Sequence, residues 1–490
     1  MEKNASINSV QRLRESVAGA LPVESAVLVN LIDALVVGPR PESAVETTLS
    51  PVWGYDHSNL YAGIERAGDQ LGVDLSTADW LRDLRQARLD WLLQQPARRG
   101  ARIGNRRVRV LDGSDYPRPK TKTVPLAYVH GANGMRLGHG LSLLAERVAE
   151  GSWTLPLEIN WIPPRTHPNI YGVVQLEEHV RRHGWPGDCL LDVDAGYTNE
   201  PFLRPVSSLG IPILGRAASN RCFYLPPPPY RGMGRPSVRG RKFKLNDART
   251  LPPVDEFEQR ALADGSRLAV SRWNDVRIRK WPEKRLILYR VIEYRADGKP
   301  RYRRPLWLIY VPAETRIDQA VIGTPKVETS NLEVARLEAS KVETPTMESP
   351  KNDLPSPLEA AELYEARFGV EHGIRFMKRE LGLTAGQFNS LAAEGRIQVW
   401  VEMVACAFWF LWSLSGMAKT ADRKLIPRWW KRENITPGAV RRMASGLLLG
   451  LGWNKPKPKT RGKSPGRARG TKLEARKWFK PVRQAAQTAL

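Results

Sequence analysis

Apolar positions in the first hundred residues follow a helical spacing. The run LPVESAVLVNLIDALVV is typical of a buried helix, and between Ser76 and Gln95 apolar side chains recur on one face at about 3.6-residue spacing. Ser76, with Asp79 three residues later, marks the start of that helix, and Pro96 ends it. We therefore predict a helical N-terminal domain over residues 1–104.

From residue 105 the pattern changes to short apolar strands that alternate with helices. In RVRVLDGSD, the side chains of Val108, Val110 and Asp112 share one strand face. A helix is predicted from about 171 to 184, a second helical piece at NEPFLRPVSSLG, and further strands at LAYVHG, SWTLPLEINWI, CLLDVDAGY and IPILGRA. Such alternation predicts an α/β fold with a mixed, partly parallel sheet, whose first part occupies residues 105–216.

Residues 217–312 have a different character. They contain a basic, Gly-rich loop, YRGMGRPSVRGRKFK, followed by the β-rich runs RLILYRVIEYR and RRPLWLIYVP. We interpret them as a β-rich insertion of antiparallel strands into the α/β core. Basic residues interleaved with aromatic ones suit phosphate contact and base stacking, although a solvated surface loop has the same composition. Residues 313–357 contain no aromatic side chain and an imperfect repeat beginning KVET, so we predict a flexible low-complexity linker.

Helical patterning resumes at residue 358. The apolar run Val399–Ala418 approaches the length of a membrane span, but it carries Glu402 and no other segment resembles it. We interpret this run as a buried core helix rather than a membrane span, and assign residues 358–418 to the second part of the core. Residues 419–490 form a basic C-terminal region that is partly disordered, with twelve basic residues and one acidic residue between Lys455 and Arg483.

Charge and cysteine content narrow the class of protein. Lysine and arginine total 76 against 51 acidic residues, a formal net charge of +25, which favours a nucleic-acid partner over a merely soluble basic protein or a membrane-bound one. The cysteines show no metal-binding spacing, which indicates a reducing compartment; they are Cys189, Cys222 and Cys406. The N-terminal residues lack the apolar core of a signal peptide, and no phosphate-binding loop is present. We expect a cytoplasmic protein without ATP-driven chemistry.

Three acidic residues are the candidates for chemistry. Asp112 and Asp194 each follow an apolar strand, and the carboxyl ends of strands are where open α/β sheets bind ligands. Glu371 belongs to a single predicted helix, residues 360–383. At about 100° per residue, that helix places a polar stripe within an arc of roughly 60° beside its apolar face, formed by Tyr364, Arg367, Glu371 and Lys378. The geometry alone fits a cleft wall, but it slightly favours the alternative, an ordinary solvated face with a Glu–Arg pair four residues apart.

These motifs resemble a known family. Tyr364, Arg367, Glu371 and Lys378 have the full spacing of the tyrosine–arginine–glutamate–lysine signature of bacterial insertion-sequence DDE transposases. The segments LDGSDYPRP, DAGYTNEPF and RFGVEHGIRFMKRELGL follow one another in the family's order, and the resemblance extends over about residues 105–415. It implies an RNase H-like mixed-sheet core with a β-rich insertion.

The resemblance also implies an activity. Asp112, Asp194 and Glu371 would be the catalytic carboxylates and would bind two Mg²⁺ (or Mn²⁺) ions, while Tyr364, Arg367 and Lys378 would bind DNA phosphates. The expected reaction is metal-dependent cleavage at the ends of the element followed by strand transfer, that is, cut-and-paste transposition. The expected partners are double-stranded DNA, as element terminal repeats and as target, and a second copy of the chain in a homodimer on DNA. Residues 1–104 would bind the element ends, with no membrane partner and a nucleoid-associated location in the bacterial cytoplasm.

Several assignments stay open at this point. Asp192 lies on the same strand face as Asp194, and Asp115 lies close to Asp112. Trp273 lies in the insertion, where relatives place a Trp against a flipped base. A pair of histidines four residues apart, His179 and His183, fits surface or capping positions better than a zinc site. A transposase-derived DNA-binding protein whose catalysis is not used and an RNase H-fold nuclease are the alternative functions.

Overall fold

The computed structural model describes most of the chain. The described residues are 2–22, 25–71, 78–95, 101–118, 121, 124–131, 134–149, 153–230, 232, 234–313, 354–386, 393–420, 435–449, 469–470 and 478–482. Most of the predicted linker and of the basic C-terminal region lies outside these residues.

The described residues form ten α-helices and twelve β-strands. The helices are α1 (Glu2–Ala20), α2 (Ala26–Val37), α3 (His57–Asp69), α4 (Asp79–Leu93), α5 (Pro168–His183), α6 (Glu200–Ser208), α7 (Pro357–Glu365), α8 (Phe368–Arg379), α9 (Ala393–Thr420) and α10 (Pro437–Leu449). The strands are β1 (Arg107–Pro117), β2 (Ala127–Gly131), β3 (Gly134–Arg147), β4 (Thr154–Ile162), β5 (Cys189–Val193), β6 (Ile213–Ala217), β7 (Cys222–Tyr224), β8 (Lys242–Lys244), β9 (Glu256–Ala261), β10 (Arg267–Ile278), β11 (Trp281–Tyr294) and β12 (Leu306–Val311).

Strand β1 lies at the centre of the core sheet. It pairs antiparallel with β3 and parallel with β5, while β3 pairs antiparallel with β4 and β5 pairs parallel with β6. The spatial order β4–β3–β1–β5–β6, in which β3 alone of these five strands runs antiparallel to the others, is the arrangement of the RNase H-like fold. Every residue of β4 and β5 is buried, as expected for strands covered on both faces. The predicted α/β core is confirmed.

The β-rich insertion extends the core sheet. Strand β12 pairs antiparallel with β6, from Trp307 opposite Ala217 to Val311 opposite Ile213, and β11 and β10 follow in the same sheet. Its apolar side chains face the common core, where the rings of Trp273 and Trp307 pack with their centroids 5.6 Å apart. The insertion is thus anchored to the core through a continuous backbone ladder.

Helix α9 is the central helix of the other layer. Residues Gly395–Ala418 are long and apolar enough to span a membrane, and the most apolar window of that segment is entirely buried within the described structure. Helices α1, α2, α3 and α10 all pack on α9. The interpretation of this segment as a buried core helix is confirmed.

The acidic residue inside α9 has two guanidinium partners. The Glu402 side chain is 0% exposed and accepts hydrogen bonds from Arg85 at 2.5 Å and from Arg88 at 2.8 Å. Both arginines lie on α4, so this charge pairing joins the N-terminal helices to the core. A buried carboxylate is tolerated because its partners compensate the charge.

Candidate active site

Asp112 and Asp194 lie next to each other at one end of the parallel ladder. The last parallel pair joins Leu111 of β1 to Val193 of β5, and each aspartate is the next residue along its strand. The sequence predicts that β1 ends at Asp112, but β1 continues to Pro117, because Asp112 still pairs with Leu143 of β3. At this level of the sheet the partner strand β5 ends instead, at Val193. The two carboxylates therefore lie side by side at the edge where the parallel pairing stops.

A turn in the DAGY motif fixes the Asp194 carboxylate. The Gly196 N–H donates a hydrogen bond of 2.8 Å to Asp194 Oδ1, and a Cβ on Gly196 would lie 3.0 Å from the same oxygen. The following Tyr197 is buried and packs edge-on against Phe202, which anchors the turn to α6. The motif therefore requires a small residue beside the acid and an aromatic side chain behind it.

Glu371 reaches the same cleft from α8. The sequence predicts one continuous helix over residues 360–383, whereas α7 ends at Glu365 and α8 begins at Phe368. Between them the backbone tightens, and the amides of Arg367, Gly369 and Val370 each bond to the carbonyl three residues earlier. At about three residues per turn the side chains rotate further per residue, so the predicted stripe does not run unbroken through Tyr364.

One cleft contains all three acids. Asp112, Asp194 and Glu371 line a cavity of about 710 Å³, together with Arg367 and Lys378. Of the six site residues predicted from the sequence, Tyr364 alone does not line this cavity. Its side chain is 2% exposed and lies on the buried side of α7. The structure therefore brings five of the six together in a single cavity.

Two cations of the signature are paired with acids in the cleft. Arg367 donates to Asp112 Oδ2 at 3.3 Å and to Glu371 Oε1 at 2.5 Å. Lys378 donates to Asp115 Oδ1 at 2.5 Å. Arg367 is 7% exposed, so its guanidinium lies among the carboxylates rather than in solvent.

Negative charge is crowded around Asp112. Burial raises the pKa of its carboxyl to about 6, Arg367 opposes that shift, and the neighbouring charges of Asp194 and Glu371 add to it. For Arg367, burial lowers the pKa, but Tyr364, Asp112, Asp192 and Glu371 outweigh burial and the net pKa is raised. The ionised acids thus stabilise a cation at this position.

Asp192 and Asp194 differ sharply in exposure. Asp192 is 0% exposed and does not line the cleft, whereas Asp194 does. No side chain among the described residues donates a hydrogen bond to either carboxylate oxygen of Asp192. Burial raises the pKa of Asp192 well above its usual range, and Arg367 opposes the shift. Of the two aspartates left open by the sequence, Asp194 is the one placed to meet a ligand from solvent.

The donor set of the cleft suits a divalent cation with oxygen ligands. Four carboxylates line the cavity, those of Asp112, Asp115, Asp194 and Glu371. Among the described residues, Arg367 is the one cation that bonds to two of them, Asp112 and Glu371. Mg²⁺ and Mn²⁺ prefer carboxylate and water oxygens and need few protein ligands. The residues present therefore fit the metal that the resemblance implies.

A second candidate metal cluster lies away from the cleft. Glu158, His179 and His183 have ligand atoms within 4.8 Å of one another, and His179 is fully buried. The expectation that His179 is a surface or capping residue is therefore wrong. His179 Nδ1 lies 2.6 Å from Glu158 and Nε2 lies 2.9 Å from an Arg109 amine, so both ring nitrogens are already paired. The adjoining guanidinium disfavours a metal ion here.

Trp273 is buried, whereas a Trp that stacks on a flipped base must have an accessible ring. The side chain is 2% exposed, and its indole N–H donates to the Pro252 carbonyl at 3.1 Å. It packs in the insertion core against Trp307, which is incompatible with stacking on a flipped base in this state. The expectation for Trp273 is therefore wrong.

Sequence reasoning missed the third wall of the cleft. Tyr128 and Met135 lie on the β2–β3 hairpin, line the cleft and are 43% and 53% exposed. These two residues were not predicted to line a site because strand β3, and with it the hairpin, was not predicted from the sequence. Asp115, which was noted only as a neighbour of Asp112, is the partner of Lys378 across the cleft.

The comparisons with known proteins agree with these motifs. A family model described as a transposase DDE domain matches residues 162–408, half of the chain, and this range includes Asp194 and Glu371 but begins after Asp112. No curated protein matches the chain. A solved structure of a piggyBac transposase synaptic complex with hairpin DNA is similar with a TM-score of 0.38 and 11% identity, covering 91% of this chain and 78% of that one.

Proposed function

The chain belongs to the family of transposases with a DDE domain, and from that premise we propose that it catalyses cut-and-paste transposition through Asp112, Asp194 and Glu371. The observation that carries this proposal is the convergence of these three acids from two strands and a distant helix on one cleft. In the proposed reaction the chain cleaves DNA strands at the ends of an element and joins the 3′-hydroxyl groups to target DNA.

The three carboxylates are proposed to hold two Mg²⁺ or Mn²⁺ ions. The ions, when bound, activate the attacking water or 3′-hydroxyl and stabilise the leaving oxygen at phosphorus. The chain contributes the orientation: the Gly196 amide fixes Asp194, the Gly113 amide fixes Asp112 at 2.9 Å, and α8 presents Glu371.

Arg367 and Lys378 are proposed to bind the DNA phosphates next to the cut. In the absence of DNA both are paired with acids of the cleft, so a phosphate competes for them directly. Arg367 has the planar donor array that suits bidentate phosphate contact. Tyr364 remains in the proposed phosphate-binding set; the Arg367 guanidinium lies 5.7 Å from its ring centroid, so it also supports Arg367 from behind.

The partners belong to the same proposal. A net charge of +25 supports binding of double-stranded DNA, with the helical residues 1–104 bound to the terminal repeats. Two ends must be brought together, so we propose a homodimer on DNA, in the bacterial cytoplasm and associated with the nucleoid.

Neutralising any one acid tests the proposal. We expect Asp112→Asn, Asp194→Asn and Glu371→Gln each to abolish Mg²⁺-dependent cleavage of DNA that carries the element ends, while end binding in a mobility-shift assay stays within about threefold of wild type. Glu365→Gln is a matched control, because Glu365 is exposed at the end of α7 and does not line the cleft. Retained nicking in any of the three variants contradicts the assignment.

The products of wild-type cleavage separate the alternatives. A transposase joins the ends to target DNA, whereas an RNase H-fold nuclease cuts without joining. A transposase-derived DNA-binding protein binds the ends and does neither. A cleavage assay on uncut ends separates the DNA-binding protein from the two enzymes, and a strand-transfer assay with pre-cut ends then separates the transposase from the nuclease.

A further inference from the structure

A buried carboxylate without a side-chain partner lies directly beneath the cleft. Asp192 lies in β5 between Val110 of β1 and Leu214 of β6, and it is 0% exposed. Its neighbour in the β1 register, Val110, shares a strand face with Asp112, so Asp192 is on the face that carries the cleft. No side chain among the described residues donates a hydrogen bond to either of its oxygens. Leaving an acceptor of this kind unpaired is costly, and an apolar residue would avoid the cost.

Arg367 has an unpaired donor of its own. Its two terminal amines bond to Asp112 and Glu371, but its Nε–H is buried and has no partner in the described part of the chain. Arg367 bonds to Asp112 at 3.3 Å, and the strand register places Asp192 on the same face of the sheet as Asp112, opposite Val110. Arg367 and Asp192 are therefore neighbours with opposite charges. An unpaired donor and an acceptor without a side-chain partner thus lie on neighbouring side chains.

We infer that Asp192 is a positioning residue that retains Arg367 in the site when divalent ions occupy Asp112 and Glu371. The inference rests on the proposed metal site. In the ion-free state the Arg367 guanidinium occupies the carboxylates that the ions need. A planar guanidinium can bond through its Nε edge to one carboxylate and offer its terminal amines elsewhere. Asp192 supplies that second carboxylate, which leaves the terminal amines of Arg367 free for a DNA phosphate.

This role predicts a defined coupling between two residues and the metal. Arg367 competes with the ions, and Asp192 relieves the competition, so Asp192 assists ion binding only through Arg367. A carboxylate that acted as a ligand, or through its charge alone, would assist ion binding whether or not Arg367 were present. A double-mutant cycle separates these two mechanisms.

The experiment measures Mn²⁺ affinity of the full chain without DNA, from the electron paramagnetic resonance signal of free Mn²⁺. We expect Asp192→Asn to weaken binding by about fivefold or more, and Arg367→Gln to tighten it. In the Arg367→Gln background, Asp192→Asn should change the affinity by less than about twofold. Asp33→Asn is the matched control, a buried aspartate paired with Arg14 on the N-terminal helices, and should leave Mn²⁺ binding unchanged.

The outcomes are distinguishable from failure of the proposed function. Equal weakening by Asp192→Asn in both backgrounds, or no weakening in either, overturns the inference while leaving the metal site intact. Unchanged Mn²⁺ affinity in Asp112→Asn overturns the metal site itself, and the inference with it. If Asp192→Asn does not fold, Asp192→Leu replaces it in the same cycle, because an apolar side chain removes the carboxylate without leaving an unpaired polar group. Unchanged or weaker Mn²⁺ binding in Arg367→Gln contradicts the competition in either case.

Discussion

Two clusters of buried charge on this fold differ in how their charges balance. Around Glu402, two guanidiniums, Arg85 and Arg88, share one carboxylate, and Arg85 also lies 3.7 Å from Glu158. Around Asp112, one guanidinium meets several acids, since Arg367 bonds to Asp112 and Glu371 while Asp192 and Asp194 lie close by.

We interpret this difference as one between a structural site and the proposed active site. The Glu402 cluster has its compensating charge within the chain and lies in the core between α4 and α9. The Asp112 cluster opens into a cleft and has an excess of negative charge. We therefore expect the first to respond to mutation through stability, and the second through activity and divalent ions.

The largest expected effect is on catalysis. Asp112→Asn should lower the rate of Mg²⁺-dependent cleavage by about 10³-fold or more, because it removes a carboxylate that is proposed to bind the metal ions. The same variant should not lose stability in the absence of metal, since it removes a buried, crowded charge. Single-turnover cleavage and urea unfolding together check both parts. A variant that unfolds more easily than wild type without metal would contradict the comparison.

The second effect is on stability. Glu402→Leu should lower the free energy of unfolding by about 3–5 kcal/mol, because it leaves Arg85 and Arg88 buried without a counter-charge. Urea unfolding monitored by tryptophan fluorescence measures the change, and Glu365→Gln, on an exposed residue, is the control. A loss of less than about 1 kcal/mol would show that this cluster is not the structural one.

The third effect depends on pH. The carboxyl of Asp112 has a folded-state pKa of about 6, above its unfolded value of 3.8. A raised carboxyl pKa means that the folded state binds more protons, so the contribution of Asp112 to stability falls as pH rises from about 4 to 6. Asp112→Asn should therefore stabilise the metal-free chain more at pH 7 than at pH 4, by roughly 1–3 kcal/mol. Saturating Mg²⁺ should reduce this difference, and a pH-independent effect of the substitution would contradict it.

The smallest effect concerns the edge of the cleft. Asp115 and Lys378 form a partly exposed pair, so Asp115→Asn should change stability by less than about 1 kcal/mol. It should free Lys378 to contact a DNA phosphate. The plot of log affinity against log salt concentration should then become steeper by about 0.9, the value for one added phosphate contact. Fluorescence anisotropy with a labelled duplex at several salt concentrations measures the slope, and Lys378→Gln should abolish the gain. Loss of cleavage in Asp115→Asn would instead mark Asp115 as a metal ligand.

The core and the acids were predictable from local pattern. Strands β1, β5 and β6 and helix α5 carry apolar spacing that is strong over a short range. Asp194 directly follows the end of β5, as predicted, whereas Asp112 lies inside β1, level with that end. The assignment of Glu371 to the cleft required the resemblance, since its helical stripe also fitted a solvated face. The convergence of strand and helix is a long-range contact that periodicity does not encode.

Other features depended on tertiary contacts. Strand β3 was not predicted from the sequence. It contains Gly138, where a Cβ would lie 2.4 Å from the Tyr116 carbonyl oxygen, so the glycine permits close packing of β3 against β1. The tighter backbone turn at Arg367, between α7 and α8, was likewise not predicted, because helical periodicity assumes a regular helix throughout. The burial of His179 and Trp273 likewise reflects their distant partners, Glu158 and Pro252.

The central claim is that the Asp112 cluster, alone of the two candidate cation sites found in the described residues, is completed by divalent ions. Crystals of the full chain soaked in Mn²⁺ test it through anomalous scattering. We predict two anomalous peaks coordinated by Asp112, Asp194 and Glu371, with Arg367 displaced from these carboxylates. We predict no peak beside the cluster of Glu158, His179 and His183. A peak at the histidine cluster with none at the three carboxylates would contradict it.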